Sequence, residues 1–194
     1  MSVVYAFQNA NQQWSDDQIK LAGQKNRRIA MDMLVQKYRQ PLFRHAVYIL
    51  RDEDEAYDIV QETFIRAIRE DRLFSMDFRI KAWLFRVAKN LCLNQLRNTS
   101  RRAAILQANP GATHQDPEQF QSLFEGEQAI AMMDALKELT DEHQEILVLR
   151  YYDELSYAEI AQVLDIKLGT VMSRLSRARQ KLLEIMPPEL SDRD

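Results

Sequence analysis

Apolar residues recur at steps of three and four along most of this chain, and few residues interrupt them. The clearest run lies between residues 54 and 70, and its apolar face consists of Ala56, Ile59, Val60, Thr63, Phe64 and Ala67. That period places these side chains on one side of an α-helix. The chain has only four Gly and five Pro in 194 residues, so helix-breaking positions are rare. The sequence therefore predicts an all-α protein.

One segment interrupts the helical pattern for longer than the others. Asn109, Pro110 and Gly111 follow one another, and Pro117 comes soon after. Such residues favour loops, which predicts a flexible linker over residues 103–126. We expect two small helical domains, residues 15–102 and 127–194, each only marginally stable alone. Residues 1–14 form an extension of unknown role.

The first domain contains signals for helix starts and stops. Ser15 and Gln18 have the spacing of a capping box, which opens a short helix to about residue 21 that Gly23 ends. A longer helix is predicted over residues 28–39, with Pro41 marking a break or a kinked restart. Further helices are predicted over 54–70 and 80–98. The inward residues predicted for the second and last of these helices are Ile29, Met33, Leu34, Tyr38, Trp83, Leu84, Val87, Ala88, Leu91 and Cys92.

The second domain ends in two helices separated by a short turn. A helix over 127–138 is predicted first, followed by one that Thr140 caps and that continues to residue 151. Ser156 and Glu159 then form a second capping box, opening a helix to residue 164. A turn at 165–167 and a final helix over 168–185 complete a helix-turn-helix spacing. The residues predicted to pack inward from the final helix are Leu168, Val171, Leu175, Ala178 and Leu182.

Charge is segregated along the chain, although its net value is only −3. Residues 52–62 and 116–145 are acidic, whereas residues 78–115 contain seven Lys or Arg and no acid, and residues 166–183 contain five and no acid. Solvated helix faces account for one such block more easily than for four in alternation. A net negative charge therefore does not argue against nucleic-acid binding by the basic blocks.

The outer face of the final helix has the chemistry of a duplex-binding surface. It consists of Thr170, Ser173, Arg174, Arg177 and Lys181. The major groove admits one α-helix, and Arg, Ser and Thr can bond base edges or phosphates there. The alternative is a core helix with a solvated basic back. Helix-turn-helix spacing alone is also compatible with many kinds of regulator.

No catalytic, metal-binding or membrane-spanning pattern is apparent. His45, His114 and His143 are dispersed, and the sequence has no Gly-rich phosphate loop. The single cysteine, Cys92, fits a reducing cytoplasm, and no apolar run reaches membrane-spanning length. We expect a cytoplasmic, non-enzymatic protein without a cofactor or a metal.

Three motifs resemble a known family in their order and spacing. Residues 155–161 (LSYAEIA), 169–175 (GTVMSRL) and 177–179 (RAR) resemble region 4 of the extracytoplasmic-function (ECF) RNA polymerase sigma factors, group IV of the sigma-70 superfamily. Residues 58–64 (DIVQETF) resemble region 2.2, and residues 83–90 (WLFRVAKN) resemble region 2.4. The resemblance spans about residues 15–185.

The resemblance implies promoter-specific transcription initiation together with core RNA polymerase. Region 2 would recognise the minus-ten element and region 4 the minus-thirty-five element, with polymerase contacts at the clamp and flap. The polymerase-binding residues would be Asp54, Glu55, Asp58, Gln61 and Glu62. The minus-ten residues would be Phe74, Asp77, Arg79, Lys81, Arg86, Lys89, Asn90, Asn94 and Arg97. The minus-thirty-five residues would be Thr170, Met172, Ser173, Arg174, Ser176 and Arg177.

Some interpretations stay open at the level of sequence. Phe74 stands where the family has the aromatic of a loop that holds a flipped base, but it could equally be a core residue under that loop. Either Arg174 or Arg179 could pair with an acid of its own domain. An anti-sigma factor is a further partner that the family implies. A helix-turn-helix regulator that never joins polymerase is the alternative function, but it leaves the acidic helix and the helix around Asn90 unexplained.

The chain also departs from the family pattern at several positions. Ser75 and Met76 replace the usual Gly of the promoter loop, Asp165 and Lys167 replace a Gly and a Pro near the turn, and Tyr57 replaces a frequent acid. Met172 replaces a common basic residue, which predicts a weaker or altered DNA contact.

Overall fold

The structure is a computed structural model that describes residues 14–106, 135–136 and 138–185, with only the backbone of residues 102–106. Every regular element in these ranges is helical, as the sequence predicts. The chain divides into two compact units, residues 1–114 and 115–194. Within the described ranges, no helix combines the length and apolar character needed to cross a membrane.

The first unit contains four helices: α1 (Asp16–Lys25), α2 (Arg27–Leu50), α3 (Glu53–Arg69) and α4 (Ile80–Leu106). Helix α1 begins at the predicted capping box, with Ser15 Oγ accepting from Gln18 N and Gln18 Oε1 accepting from Ser15 N. Asn26 then caps α2 by accepting from the backbone N–H groups of Arg28 and Ile29. Helix α2 packs against α1, α3 and α4, so it lies at the centre of this bundle.

The bundle core is assembled from the predicted apolar faces. All six predicted residues of α3 are buried, and Leu34, Tyr38, Leu84, Ala88 and Cys92 are buried as well. Phe85 is fully buried and packs edge-on against His45 of α2, with ring centroids 5.2 Å apart. The α4 face in the core is therefore wider than the pattern of threes and fours predicts.

Four expectations about the first unit were wrong. Gly23 does not end α1, which continues to Lys25, and Pro41 lies inside an uninterrupted α2. Helix α4 continues to Leu106, past the start of the predicted linker. Ile29 is 53% exposed, not part of the core. The rest of that linker and residues 1–13 lie outside the described residues.

The second unit contains α5 (Asp141–Leu147), a π-helical turn (Val148–Tyr152), α6 (Tyr157–Leu164) and α7 (Leu168–Ile185). Both predicted ends of α6 and the predicted start of α7 are confirmed. Ser156 and Glu159 form the second capping box, and the turn holds Asp165 in a left-handed conformation at φ 55°. Most of the helix predicted over 127–138 lies outside the described residues.

The core of the second unit lies under α7. Val171, Leu175 and Ala178 are buried as predicted, and α7 packs against α5 and α6. Leu168 was predicted to pack inward, but it is 50% exposed because it is the first residue of the helix.

Candidate docking and nucleic-acid surfaces

The outer face of α3 is acidic and open to solvent. Asp52 caps the helix, its side chain accepting from Glu55 N at 2.8 Å, and acids fill the first turn, where they complement the positive end of the helix dipole. Asp54, Asp58 and Gln61 are exposed, while the opposite face of the helix is in the core. This helix therefore presents carboxylates on a rigid support.

Two of the predicted polymerase-binding acids have partners within the bundle. Gln95 of α4 donates to Glu55 Oε1 at 3.0 Å, and Arg66 pairs with Glu62 Oε1 at 2.8 Å. Both acids are partly buried, so Asp54, Asp58 and Gln61 form the open part of this surface. We call these three residues the acidic surface.

The outer face of α4 carries cations and amides. Arg86, Asn90, Asn94 and Arg97 are exposed and follow one another at steps of four, four and three. Those steps keep their side chains along one side of the helix. We call these four residues the α4 polar surface. Arg79, just before the helix, is also exposed, whereas Lys81 and Lys89 are partly buried at the edge of this surface.

The loop between α3 and α4 buries the aromatic residue predicted to hold a base. Phe74 is only 5% exposed, and Arg27 of α2 lies over its ring at 5.3 Å. In this conformation the ring has no open face, which matches the alternative interpretation of a core residue under the loop. Asp77 remains exposed and pairs with Arg72 across the loop at 2.6 Å.

The outer face of α7 is exposed over two turns. Met172, Ser173, Ser176 and Arg177 are exposed, and Thr170 is partly buried. The Ser173 hydroxyl donates to the Thr170 carbonyl at 3.1 Å, which turns it along the helix axis. A helix of this width with hydroxyl and guanidinium groups on one side fits the major groove.

Arg174 differs from its neighbours on α7. Its guanidinium lies 3.3 Å from Glu142 Oε2 of α5, and its side chain is only 22% exposed. The expectation that one arginine pairs within its domain is confirmed for Arg174. Arg179 is exposed.

Comparison with known proteins identifies both units. Residues 34–102 match the family model "Sigma-70 region 2", and residues 129–182 match "Sigma-70, region 4". The chain is 30% identical over 197 residues to the RNA polymerase sigma-H factor of Pseudomonas aeruginosa, covering 93% of this chain and 98% of that one. It is also 30% identical to the ECF sigma factor SigW of Bacillus subtilis, covering 77% of this chain and 84% of SigW. The chain belongs to the ECF RNA polymerase sigma factors.

Two solved structures share this fold. The sigma factor RpoE in complex with the anti-sigma factor NepR, from Bartonella quintana, is 26% identical with a TM-score of 0.59, covering 82% of this chain and 98% of that one. CnrH in complex with the cytosolic domain of CnrY is 25% identical with a TM-score of 0.60, covering 88% and 96%. Both structures are complexes with a second protein, which in the RpoE structure is an anti-sigma factor.

Two residues that hold the end of α3 and the loop after it were not anticipated from the sequence. Lys20 of α1 donates to the Met76 carbonyl, and Arg27 of α2 donates to the carbonyls of Ile68 and Glu70 at the end of α3. Their partners lie 40 or more residues away in sequence. No local pattern could indicate these contacts.

Proposed function

We propose that this ECF sigma factor starts promoter-specific transcription with three separate surfaces. The acidic surface of α3 docks on a basic surface of core polymerase at the clamp. The α4 polar surface and the loop before it engage the minus-ten element, and the outer face of α7 binds the minus-thirty-five element. The protein acts in the cytoplasm as a regulator of initiation and not as an enzyme.

The observation that carries the proposal is the opposite chemistry of α3 and α4 in one bundle. Helix α3 exposes carboxylates, whereas the adjacent α4 exposes guanidinium and amide groups. A DNA-binding regulator needs only the second kind of surface, because carboxylates repel phosphate. The exposed carboxylates of α3 are suited to a basic surface on a protein partner, since complementary charge steers association and sets orientation.

Each α4 side chain suits a particular contact in the minus-ten element. Arg86 and Arg97 can neutralise phosphates, and Asn90 and Asn94 can bond the edges of bases. Amide side chains are suited to unpaired bases because they both donate and accept. Arg79, Lys81 and Lys89 extend the positive charge at the edge of this surface.

On α7, exposure divides the predicted minus-thirty-five residues. Thr170, Met172, Ser173, Ser176 and Arg177 remain available for the major groove, and Met172 would make apolar contacts there in place of a charged one. Arg174 is committed to Glu142, and we assign it to holding α7 on α5. An approaching phosphate would have to compete with that carboxylate.

We propose an anti-sigma factor as a further protein partner. The structural relative RpoE is described in complex with the anti-sigma factor NepR, and CnrH in complex with the cytosolic domain of CnrY. A partner that covers the acidic surface would compete directly with core polymerase.

The test is reconstitution with purified core polymerase from the source organism. The full chain plus core polymerase, given genomic DNA, should produce transcripts whose mapped 5′ ends share two upstream elements. Core polymerase alone is the control. Binding to DNA without association with core polymerase would instead support the helix-turn-helix regulator.

A further inference from the structure

The loop between α3 and α4 has a defined shape although it contains no glycine. Its backbone makes consecutive turns: Leu73 N donates to Glu70 O, Ser75 N to Arg72 O, and Phe78 N to Ser75 O, at 2.8–3.2 Å. Met76 and Asp77 lie at the exposed tip, with Met76 50% exposed. The tip is the part of the loop that an unpaired DNA strand can reach.

Helix α1 holds this tip through a buried lysine. Lys20 is only 7% exposed, and its ammonium donates to the Met76 carbonyl at 3.1 Å and to Asp17 Oδ1 at 3.3 Å. Lysine is almost never buried unless its charge has partners. The contact with Met76 therefore gives the buried ammonium a hydrogen-bond acceptor and also fixes the backbone of the tip.

The same helix fits against the base of the loop at Gly23. A Cβ atom at this position would lie 2.6 Å from Phe74 Cβ and about as close to two ring atoms. Because Phe74 Cβ is bonded to the backbone, relief of that clash requires the loop itself to move. Gly23 thus permits the close approach of α1 that seats Phe74.

Arg27 completes the attachment from the other side. Its guanidinium covers the Phe74 ring and donates to Ile68 O at 2.9 Å and Glu70 O at 2.8 Å. Ile68 lies in the last turn of α3 and Glu70 caps its end, so Arg27 also satisfies groups that a helix end leaves without partners. The loop is anchored at Phe74 and at Met76.

We infer that Lys20 and Gly23 are positioning residues for promoter opening, and that they hold Met76 and Asp77 in the shape that captures a displaced base. This inference deepens the proposed function and rests on it. Phe74 is then the anchor of the loop, and the tip supplies the contacts. A loop fixed before DNA binds loses less conformational freedom when it captures a base.

The test uses holoenzyme reconstituted from the full chain and core polymerase. Its affinity is measured for a single-stranded oligonucleotide carrying the non-template minus-ten sequence and for versions with one base removed at each position. The wild-type holoenzyme should show one position where removal weakens binding about tenfold, which is within the range for single-base contacts. Lys20→Met, which keeps the aliphatic stem, should reduce that loss to below about threefold.

Two further variants separate positioning from general damage. Lys25→Met changes an exposed lysine of the same helix and should leave the wild-type profile unchanged. Gly23→Ala should act like Lys20→Met, although alanine within a helix is ordinarily the more stabilising residue. A variant that only unfolds part of the protein binds every oligonucleotide equally less well, which preserves the ratio between intact and abasic strands.

The results distinguish this inference from the proposed function. If wild-type holoenzyme shows the single sensitive position and both Lys20→Met and Gly23→Ala retain the full tenfold ratio, the positioning role is overturned while the sigma function stands. If wild-type holoenzyme has no sensitive position and starts transcription at no defined site, the proposed function fails and the inference fails with it.

Discussion

Two arginines one turn apart on α7 have different environments. Arg174 pairs with Glu142 of α5 and is mostly covered, whereas Arg177 is exposed. A solvent-accessible ion pair of this kind contributes at most about 1 kcal/mol. Arg174 therefore helps to hold α7 in place, and Arg177 is available for a phosphate or a base.

Substitution of these two arginines should separate DNA affinity from stability. Arg177→Ala should weaken binding to minus-thirty-five DNA and lower the slope of log K against log salt by about 1, because one phosphate contact is lost. Arg174→Ala should retain most of that slope. Fluorescence anisotropy of holoenzyme on labelled promoter DNA at several salt concentrations measures both. Equal slopes for Arg177→Ala and wild type would mean that this side of α7 does not face DNA.

Cys92 should be unreactive in the folded protein. Burial in the core raises the pKa of the Cys92 thiol from its usual 9.0 to about 12, with a smaller contribution from the charge of Glu55. Since only the thiolate is nucleophilic, a thiol reagent at pH 8 should modify Cys92 in denaturant and spare it in buffer.

The same pKa shift has a consequence for stability at high pH. The folded pKa is raised, so its stabilising contribution is complete below pH 9 and is lost as pH rises from 9 towards 12. The free energy of unfolding of Cys92→Ala should lack this decrease between pH 9 and 12, because the variant has no thiol to ionise. Thiolate absorbance that appears in the native protein near pH 9 would contradict the burial of this group.

One side of helix α3 is buried in the core, and the other side is exposed to solvent. Thr63 illustrates how this is achieved, because its buried hydroxyl donates to the Ile59 carbonyl at 2.7 Å within the same helix. The polar atom is thereby satisfied without a contact from outside. Substitutions on the exposed side should consequently alter binding without altering the fold.

Asp58→Lys should weaken the binding of core polymerase by about tenfold or more, since a carboxylate facing a basic surface is replaced by a repelling cation. Its far-ultraviolet circular dichroism should match that of wild type. Asp32→Lys, on the exposed side of α2, makes the same charge change and should have a much smaller effect. Equal losses in the two variants, measured with labelled core polymerase, would indicate that only total charge matters.

Elements with local signals were predictable from the sequence, and contacts between distant residues were not. Helical periodicity predicts the buried face of α3 and the course of α7, and a capping box predicts the start of α6. Each of these signals lies within the helix that it predicts. Gly23 was taken as a helix stop because its reason for being glycine, the close approach of Phe74, lies 51 residues away. The sequence predicted that Arg174 or Arg179 pairs with an acid of its own domain, but it identified neither which arginine nor Glu142 as the acid.

For the exposed surfaces too, local signals were predictable from the sequence and contacts between distant residues were not. The outward directions of Asp58, Asn90 and Arg177 were predictable from periodicity alone, since each lies opposite an apolar face. The burial of Phe74 and Lys20 depends on how α1 packs beneath a loop, and a local pattern contains no information on that packing. The roles of these residues in binding stay predictions until they are measured.

At the scale of the whole molecule, each unit has a core of its own. The first is built around α2 with Leu34, Leu42 and Phe85, and the second around α7 with Leu175 and Ile146. Each unit also begins a helix with a complete capping box, at Ser15 in the first and at Ser156 in the second. The same single-atom change can therefore be made in either unit.

In calorimetry of the full chain, Ser15→Ala and Ser156→Ala should each lower the midpoint temperature of a different unfolding transition. Loss of the hydroxyl removes the acceptor for Gln18 N in the first variant and for Glu159 N in the second. The expected cost is about 1 kcal/mol, which lowers the midpoint of a domain of this size by roughly 4–8 °C. In the double variant each midpoint should fall by the same shift as in the corresponding single variant, because the sites share no partners. A common shift of one transition by both variants would instead mean that the two units unfold as a single cooperative structure.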